Sequence, residues 1–334
     1  MDYAVLGRTG LRVSRIGFGC AGLGNMYTHV SQEEINSCIA MAMDEYGINY
    51  FDTAPSYGPE GLSEERLGIA LAGRRQNVVL TTKAGRYDHG TVDRRDYEFD
   101  YSPRRIRAEV ENSLRRLKTD YIDVYQLHDI FEAQYLDYIV AESLPEMERL
   151  RRDGKIRFIG ITGCELDALR YTAERSESVD AILTCYRYTL MDQTLATGFE
   201  ELRRTRNIAL INSSVTYLGI LTTEGSTLGD YGDDSAFPEV KKVLRRVIAL
   251  CKERGMDLGE LAVMFGSHCG CADSTLISMA RKKRLVQNME LYKRSFDNGL
   301  CMEIHEMLKD QVIFPNLKPS YHASEAKLPG ASLY

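Results

Sequence analysis

Tyr121-Ile122-Asp123-Val124-Tyr125-Gln126-Leu127-His128 is a mostly apolar run that stops on an ionisable side chain. A helix leads into it. Ser102-Pro103 opens that helix, and Ile106, Val110, Leu114 and Leu117 recur on one face at helical spacing. Proline suits the opening, because its missing N–H would lack an intrahelical partner in any case. A short apolar strand fed by an amphipathic helix is the unit from which parallel sheets are wound.

The same unit recurs in both directions. Upstream, Ile16 to Gly19 reads as a first strand. Ser31 and Glu34 form a capping box before Ile35, Ile39, Ala42, Met43 and Tyr46, and Gly47 ends that helix. Ile48 to Phe51 is the second strand, Glu64 to Ala72 a helix, and Val78 to Thr82 the third strand. Downstream, helices at 142–153, 165–175 and 195–206 alternate with strands at 156–161, 181–184 and 208–213. Pro238 starts a helix carrying Val240, Val243, Leu244, Val247 and Cys251, with Gly255 after it. A second capping box, Asp257 to Glu260, precedes the strand Thr275 to Ile277.

About eight such units, with no break in composition across 334 residues, predict one (β/α)8 TIM barrel rather than an open sheet with a second domain. Residues 1–15 fall outside the pattern. Gly7-Arg8-Thr9-Gly10, between two short apolar runs, reads as a β-hairpin at the barrel floor. Residues 291–334 form a C-terminal extension. Long connections at 84–101, 129–141 and 219–237 follow strands three, four and seven. They rise from the C-terminal face, where barrel enzymes place their sites.

A chain with 44% hydrophobic and 27% charged residues can bury a large core. Its formal net charge of −6 disfavours nucleic acid and anionic membranes as partners. No apolar run is long enough to span a bilayer, and the first residues lack the pattern of a signal peptide. The eight scattered cysteines then read as reduced thiols in a cytoplasmic protein. Cys269 and Cys271 are spaced C-x-C without paired histidines, which argues against zinc, and no metal is expected.

Gly17, Gly19 and Gly22 match G-x-G-x-x-G after a strand. A dinucleotide turn of that kind must open straight into a helix. Here no helix starts before Ser31, so the glycines read as places where the chain passes close to something else, such as a ligand.

The chemistry gathers at strand ends. Asp52 ends the second strand, with Tyr57 on the loop beyond it. Lys83 ends the third and His128 the fourth. Taken singly, each residue has an ordinary explanation: a packing tyrosine, a solvated lysine, a structural histidine, an aspartate capping a turn. At consecutive strands of a barrel, however, they converge. Carbonyl reduction needs a proton delivered to oxygen as hydride reaches carbon. Tyrosine ordinarily titrates near 10. A neighbouring Lys83 ammonium, held by Asp52, is expected to lower that pKa, while His128 bonds the substrate oxygen.

At these residues the sequence resembles the aldo-keto reductase superfamily, and in particular its L-galactose dehydrogenase-like branch. Phe51-Asp52-Thr53-Ala54-Pro55-Ser56-Tyr57-Gly58, Thr81-Thr82-Lys83 and Asp120 to His128 are similar to its signatures. His128-Asp129-Ile130 and Phe158-Ile159-Gly160-Ile161-Thr162-Gly163 are similar to that branch. The resemblance implies an NAD(P)(H)-dependent oxidoreductase acting on a small-molecule aldehyde, ketone or aldose sugar, as a monomer or homodimer. Many relatives in the branch oxidise the anomeric hydroxyl of free sugars with NAD. Thr162 and Gly163 would meet the nicotinamide carboxamide, although many members carry asparagine where this chain has Gly163. Asn212, Ser213, Ser214, Leu218 and Gly219 would follow the nicotinamide and pyrophosphate. Arg284 matches an arginine that grips an adenosine 2′-phosphate, and Asn288 an asparagine that binds adenine. Arg281, Lys282 and Lys283 add positive charge. Ser278 and Gln287 stand where many NADP users have lysine and glutamate. The balance leans to NADP, with NAD close behind.

Two other functions fit parts of the pattern. Lys83 is placed as a Schiff-base aldolase lysine would be, although Asp52 beside it opposes nucleophilicity. A cofactor-binding, redox-sensing module would keep the same residues with little turnover. His89, Asp93 and Arg94, in the loop after strand three, are candidates to touch substrate or simply to face water.

Overall fold

The computed structural model describes residues 1–90, 97–130, 133–217, 219–222 and 238–311. The parallel strands are β3 (Ile16–Gly19), β4 (Tyr50–Asp52), β5 (Val79–Ala84), β8 (Ile122–Leu127), β9 (Ile156–Gly163), β10 (Val179–Cys185), β11 (Ala209–Ser213) and β12 (Ser274–Ser278). They pair in that order and close into a barrel where β12 meets β3, with Thr275 opposite Ile16 and Ser278 opposite Gly19. Helices surround them, among them Gln32–Asp44, Leu62–Ala70, Pro103–Leu117, Leu166–Arg175, Pro238–Glu253, Leu258–Ser267 and Lys282–Lys293. This is the (β/α)8 architecture expected from the repeating apolar strands, which lie buried on both faces.

The first two strands, β1 (Tyr3–Val5) and β2 (Arg12–Ser14), form an antiparallel hairpin beneath the barrel. Leu6, Leu11 and Val13 pack up into the lower interior against Tyr50, Val79, Val124, Ala181, Ala209 and Leu276. Arg8 locks the hairpin in place. Its backbone N–H donates to the Asn207 carbonyl at 2.7 Å and its Nε to Asp180 at 2.9 Å. Asn49 adds a second tie, accepting from Ser14 N at 2.7 Å and donating to the Arg12 carbonyl at 2.9 Å. That service to the hairpin explains why β4 starts at Tyr50, later than the apolar pattern suggested.

Other departures from the sequence reading have local causes. The helix expected at 142–153 begins earlier, as Ala133–Tyr138, passes through a π turn at Ile139–Ser143 and continues as Leu144–Arg152. Pro145 has no N–H to give and crowds the preceding turn, and the wider π turn accommodates it. The helix expected at 195–206 is two segments, Leu195–Gly198 and Glu200–Arg206, because Phe199 leaves helical geometry with φ −133°. Strand β5 runs through Ala84, so Lys83 lies within a strand rather than at its tip. Past residue 291, Asn298–Leu308 is a helix whose Leu300, Cys301 and Ile304 pack with Leu244 and Val247. Two further strands, β6 (Arg86–Asp88) and β7 (Tyr97–Phe99), make a small antiparallel hairpin above the C-terminal rim. Among the described residues no helix is long and apolar enough to cross a membrane.

The helix Leu62–Ala70, directly after the Tyr57 loop, is clamped to the barrel by one fully buried carboxylate. Glu64 accepts from Thr82 Oγ1 at 2.5 Å and from Arg116 Nε at 2.7 Å, and Arg116 also holds Glu109. Burial pushes the Glu64 carboxyl up despite the guanidinium beside it. Removing that guanidinium strands two carboxylates in the interior. Arg116→Met is therefore expected to destabilise the fold by about 3 kcal/mol or more, read from the urea midpoint. A change within experimental error would show that the clamp contributes nothing.

Candidate active site

Register brings the four chemical residues together. Within β5, Thr81 and Lys83 are two apart and face the interior, and the same holds for Gln126 and His128 along β8 and its exit. Asp52 pairs with Thr81 across β4–β5, and Lys83 with Gln126 across β5–β8. All these side chains reach one layer at the barrel mouth.

Lys83 is the hub. Its Nζ donates to Asp52 Oδ1 at 2.5 Å, to the Thr53 carbonyl at 2.7 Å and to Tyr57 Oη at 3.2 Å. Three ammonium protons thus meet three acceptors. Asp52 Oδ2 takes Thr81 Oγ1 at 2.7 Å and Gln126 Nε2 at 2.9 Å. The side chains of Lys83 and Asp52 are only 1% and 3% exposed. A pair this deeply buried persists only when the remaining donors and acceptors are satisfied, as they are here. The saturated ammonium also removes the free amine that a Schiff-base role would require.

The Tyr57 loop is held on both sides. Tyr57 N donates to the Ala54 carbonyl at 3.1 Å, and the Tyr57 carbonyl accepts from Ser63 N at 3.1 Å. The loop after β3 crosses directly beneath. A Cβ on Gly24 would overlap the Tyr57 carbonyl, so only glycine permits this approach. What the loop after β3 approaches there is the backbone that carries Tyr57.

The expected acidification of Tyr57 is not found. Burial pushes the phenol well above its ordinary value, and the Asp52 carboxylate pushes it further. Lys83 does not reverse this, because Asp52 lies closer to the ammonium than the phenol does and offsets its field. Tyr57 is therefore a protonated donor in the free protein.

His128 meets Tyr57 edge-on, with ring centroids 5.8 Å apart. Its Nδ1 lies 3.3 Å from Ser56 Oγ, and its Nε2 lies 3.6 Å from Asp129 Oδ2. Burial lowers its pKa to about 3, with Lys83 and Arg86 also opposing protonation and Asp129 favouring it. The ring is neutral at pH 7. The nearby carboxylate favours the proton on Nε2, leaving Nδ1 to accept from Ser56.

The residues proposed for cofactor lie on the neighbouring arc. Thr162 and Gly163 end β9, Asn212 and Ser213 end β11, Ser214 follows with φ 59°, and Gly219 has φ 85°. Ser278 ends β12, and Arg284, Gln287 and Asn288 share the helix Lys282–Lys293. Leu218, like Asp93 and Arg94, lies outside the described residues. Thr162 is already engaged: its Oγ1 accepts from Asp129 N at 3.1 Å. A Cβ at Gly163 would sit 3.1 Å from the Ile130 carbonyl, so the segment after His128 crowds the place where an asparagine would stand. Of these cofactor candidates, Asn212 and Asn288 carry buried side-chain atoms without a partner among the described residues. Asn288 is 2% exposed with neither side-chain polar atom bonded, and the Oδ1 of Asn212 is buried without a donor. Buried amides in that state are ordinarily satisfied by water, an ion or a ligand. Arg284 is exposed, donating to Gln287 at 3.2 Å. His89 is half exposed and meets Glu98 at 2.8 Å.

A family model described as the aldo/keto reductase family matches residues 15–309. This chain belongs to the aldo/keto reductase family. It is an NAD(P)-dependent oxidoreductase. L-galactose dehydrogenase of Arabidopsis thaliana is 34% identical over 92% of the chain and 95% of its own length. D-threo-aldose 1-dehydrogenase of a Pseudomonas species is 32% identical over 89% and 94%. Among solved structures, a holo-form aldo-keto reductase of Bacillus halodurans superposes with a TM-score of 0.73 at 26% identity, covering 92% of this chain and 97% of that one.

Sequence reasoning missed Ser56, Thr81, Gln126, Arg86 and Asp129 as members of the site. Polar residues at inward positions of apolar strands were the available signal for Thr81 and Gln126. The state of His128 is open to test. Between its ordinary pKa of 6.5 and about 3, the unfolded chain takes up a proton that the folded chain refuses, so this residue lowers stability as pH falls through that window. Imidazole ¹⁵N NMR should find a neutral, Nε2-protonated ring from pH 8 to pH 4; a midpoint near the ordinary value would contradict the burial argument.

Proposed function

We propose that the chain transfers hydride between the nicotinamide of NAD(P)(H) and the carbonyl or hydroxyl carbon of a small substrate, an aldose at its anomeric carbon above all, with Tyr57 as the proton donor and acceptor. The observation that carries this reading is the single ammonium, Lys83 Nζ, shared between Asp52 at 2.5 Å and the Tyr57 phenol at 3.2 Å. The sugar class is supported by the names of the two sugar dehydrogenases that align along nearly all of the chain.

The orphaned amides of Asn212 and Asn288 and the basic helix start fit a dinucleotide. Thr162, Gly163, Asn212, Ser213, Ser214, Leu218 and Gly219 would hold its nicotinamide and pyrophosphate half. Ser278, Arg284, Gln287 and Asn288 would hold its adenosine half. When bound, that cofactor supplies or accepts the hydride. The chain does the rest. In reduction, the protonated phenol of Tyr57 gives its proton to the substrate oxygen, and Lys83 stabilises the tyrosinate left behind. His128 donates from Nε2 to the same oxygen, and Ser56 keeps the ring in that tautomer. In oxidation the proton runs the other way, so the rate in that direction should climb with pH as the raised phenol approaches ionisation.

Tyr57→Phe keeps the ring and deletes only the proton. It is expected to lower kcat for an aldose or aldehyde by about 10² to 10⁴, with dinucleotide affinity by fluorescence quenching unchanged. Near-normal turnover would refute the assignment. Absence of turnover by the unaltered protein on a broad aldehyde, ketone and aldose panel, with dinucleotide still bound, would favour the sensing module instead.

The cofactor reading leans to NADP through Arg284, whose planar guanidinium matches the extra 2′-phosphate. Arg284→Ala is expected to weaken NADP binding by roughly tenfold, the value of one charge-assisted hydrogen bond, and NAD binding hardly at all. Equal losses for both would remove this preference.

A further inference from the structure

His128 is followed by a residue the reaction itself does not require. Asp129 stands in the left-handed region, φ 55°, which aspartate adopts more readily than most side chains, and its neighbours support it there. That support comes from three directions. Tyr101 Oη lies within bonding distance of both the His128 carbonyl, at 2.7 Å, and the Asp129 carbonyl, at 3.0 Å. Thr162 Oγ1 accepts from Asp129 N at 3.1 Å. Arg86, from the first residue of β6, donates to Asp129 Oδ2 at 2.5 Å. Contacts on the backbone and on one carboxylate oxygen together fix where this side chain points.

The place is the barrel mouth. Asp129 Oδ2 is 3.6 Å from His128 Nε2, the atom that reaches for the substrate oxygen, and the side chain is 19% exposed. Its charge also reaches the Tyr57 phenol and the Cys185 thiol at the end of β10, raising both. Burial alone would push the Asp129 carboxyl up, but the His128 ring facing it through its N–H and the Arg86 guanidinium bonded to Oδ2 hold it below its ordinary value. The other oxygen, Oδ1, receives no hydrogen bond from any described residue. An ionised acceptor with one oxygen pinned and the other open, beside the reacting oxygen, calls for a hydroxyl donor from the substrate.

Resting on the reading of an aldose substrate, we propose that Asp129 is a specificity-determining residue that accepts a hydrogen bond from the hydroxyl on the carbon next to the reacting one, with Arg86 as its positioning residue. Oxygens on adjacent sugar carbons are separated by about the width of a carboxylate, so one group can face both His128 and that hydroxyl. Simple aldehydes leave Oδ1 without a partner and gain nothing from it. Substrates with a hydroxyl on the carbon next to the reacting one are thereby favoured.

The test compares the best aldose of a pentose and hexose panel with its 2-deoxy counterpart, in the unaltered protein and in Asp129→Asn. Asparagine tolerates the same backbone conformation and shape, so the fold is retained. It removes the charge, and a neutral hydrogen bond is roughly half as strong as a charge-assisted one. The expected result is a loss of about tenfold in kcat/KM for the parent aldose, carried mainly in KM, against about threefold or less for the 2-deoxy sugar. Arg86→Gln should shift the same ratio in the same direction by a smaller factor. Equal losses on both sugars would overturn the proposal and make Asp129 a structural or electrostatic element of the mouth. No loss on either would overturn it as well. If the unaltered protein turns over neither sugar, the aldose reading itself fails, and this inference with it.

Discussion

A lysine and an aspartate, both all but sealed from water, meet at 2.5 Å near the top of the barrel. Such a pair is stable only if every remaining proton and lone pair finds a partner. That demand accounts for a surprising share of the surrounding sequence. Thr81 and Gln126 serve Asp52, the Thr53 carbonyl and the Tyr57 phenol serve Lys83, and the pairing of β4, β5 and β8 brings them into one layer. Move any of these strands by one residue and the inward side chains turn outward. Tyr57 is placed by the same arrangement: its loop leaves β4 just past Asp52, rests on Gly24 and is tied through Ser63 to the helix that Glu64 anchors.

The strands around the barrel mouth fall into two groups. On β4, β5 and β8 the side chains are tied together through Lys83 and Asp52, although Tyr50, Tyr125 and Gln126 there also carry buried polar atoms without a partner among the described residues. The arc from β9 to β12 leads into the helix Lys282–Lys293. On β11 and on that helix, Asn212 and Asn288 hold buried amide atoms that no described residue satisfies. Asp129 lies at the junction, since its backbone is bonded to Thr162 of β9 and its side chain faces His128 of β8.

Much of this could be read from the chain alone. The eight strands follow from apolar runs bounded by caps, and Asp52, Lys83 and His128 stood out because each interrupts or ends such a run. The boundaries that were misplaced depend on partners far away in sequence: Asn49 answers to the hairpin at Arg12 and Ser14, and the π turn before Pro145 reflects local ring sterics that periodicity does not register. Ser56 and Asp129 were in plain view beside known positions, but only the fold brings them against the His128 ring. The ionisation of Tyr57 was the largest misjudgement. Adjacency to lysine suggests an acidic phenol, yet desolvation and the lysine's own counter-ion decide the sign, and neither is visible in a local stretch of residues.

A thermodynamic double-mutant cycle at positions 52 and 83 probes this account most directly. Asp52→Asn, Lys83→Met and the combined variant are compared with the unaltered protein by urea denaturation. Either single change strands a buried charge and should lose about 3–5 kcal/mol, whereas the combined variant should lose no more than the worse of the two. Losses that simply add would mean that the two charges do not depend on each other, and the organisation described around them would not hold.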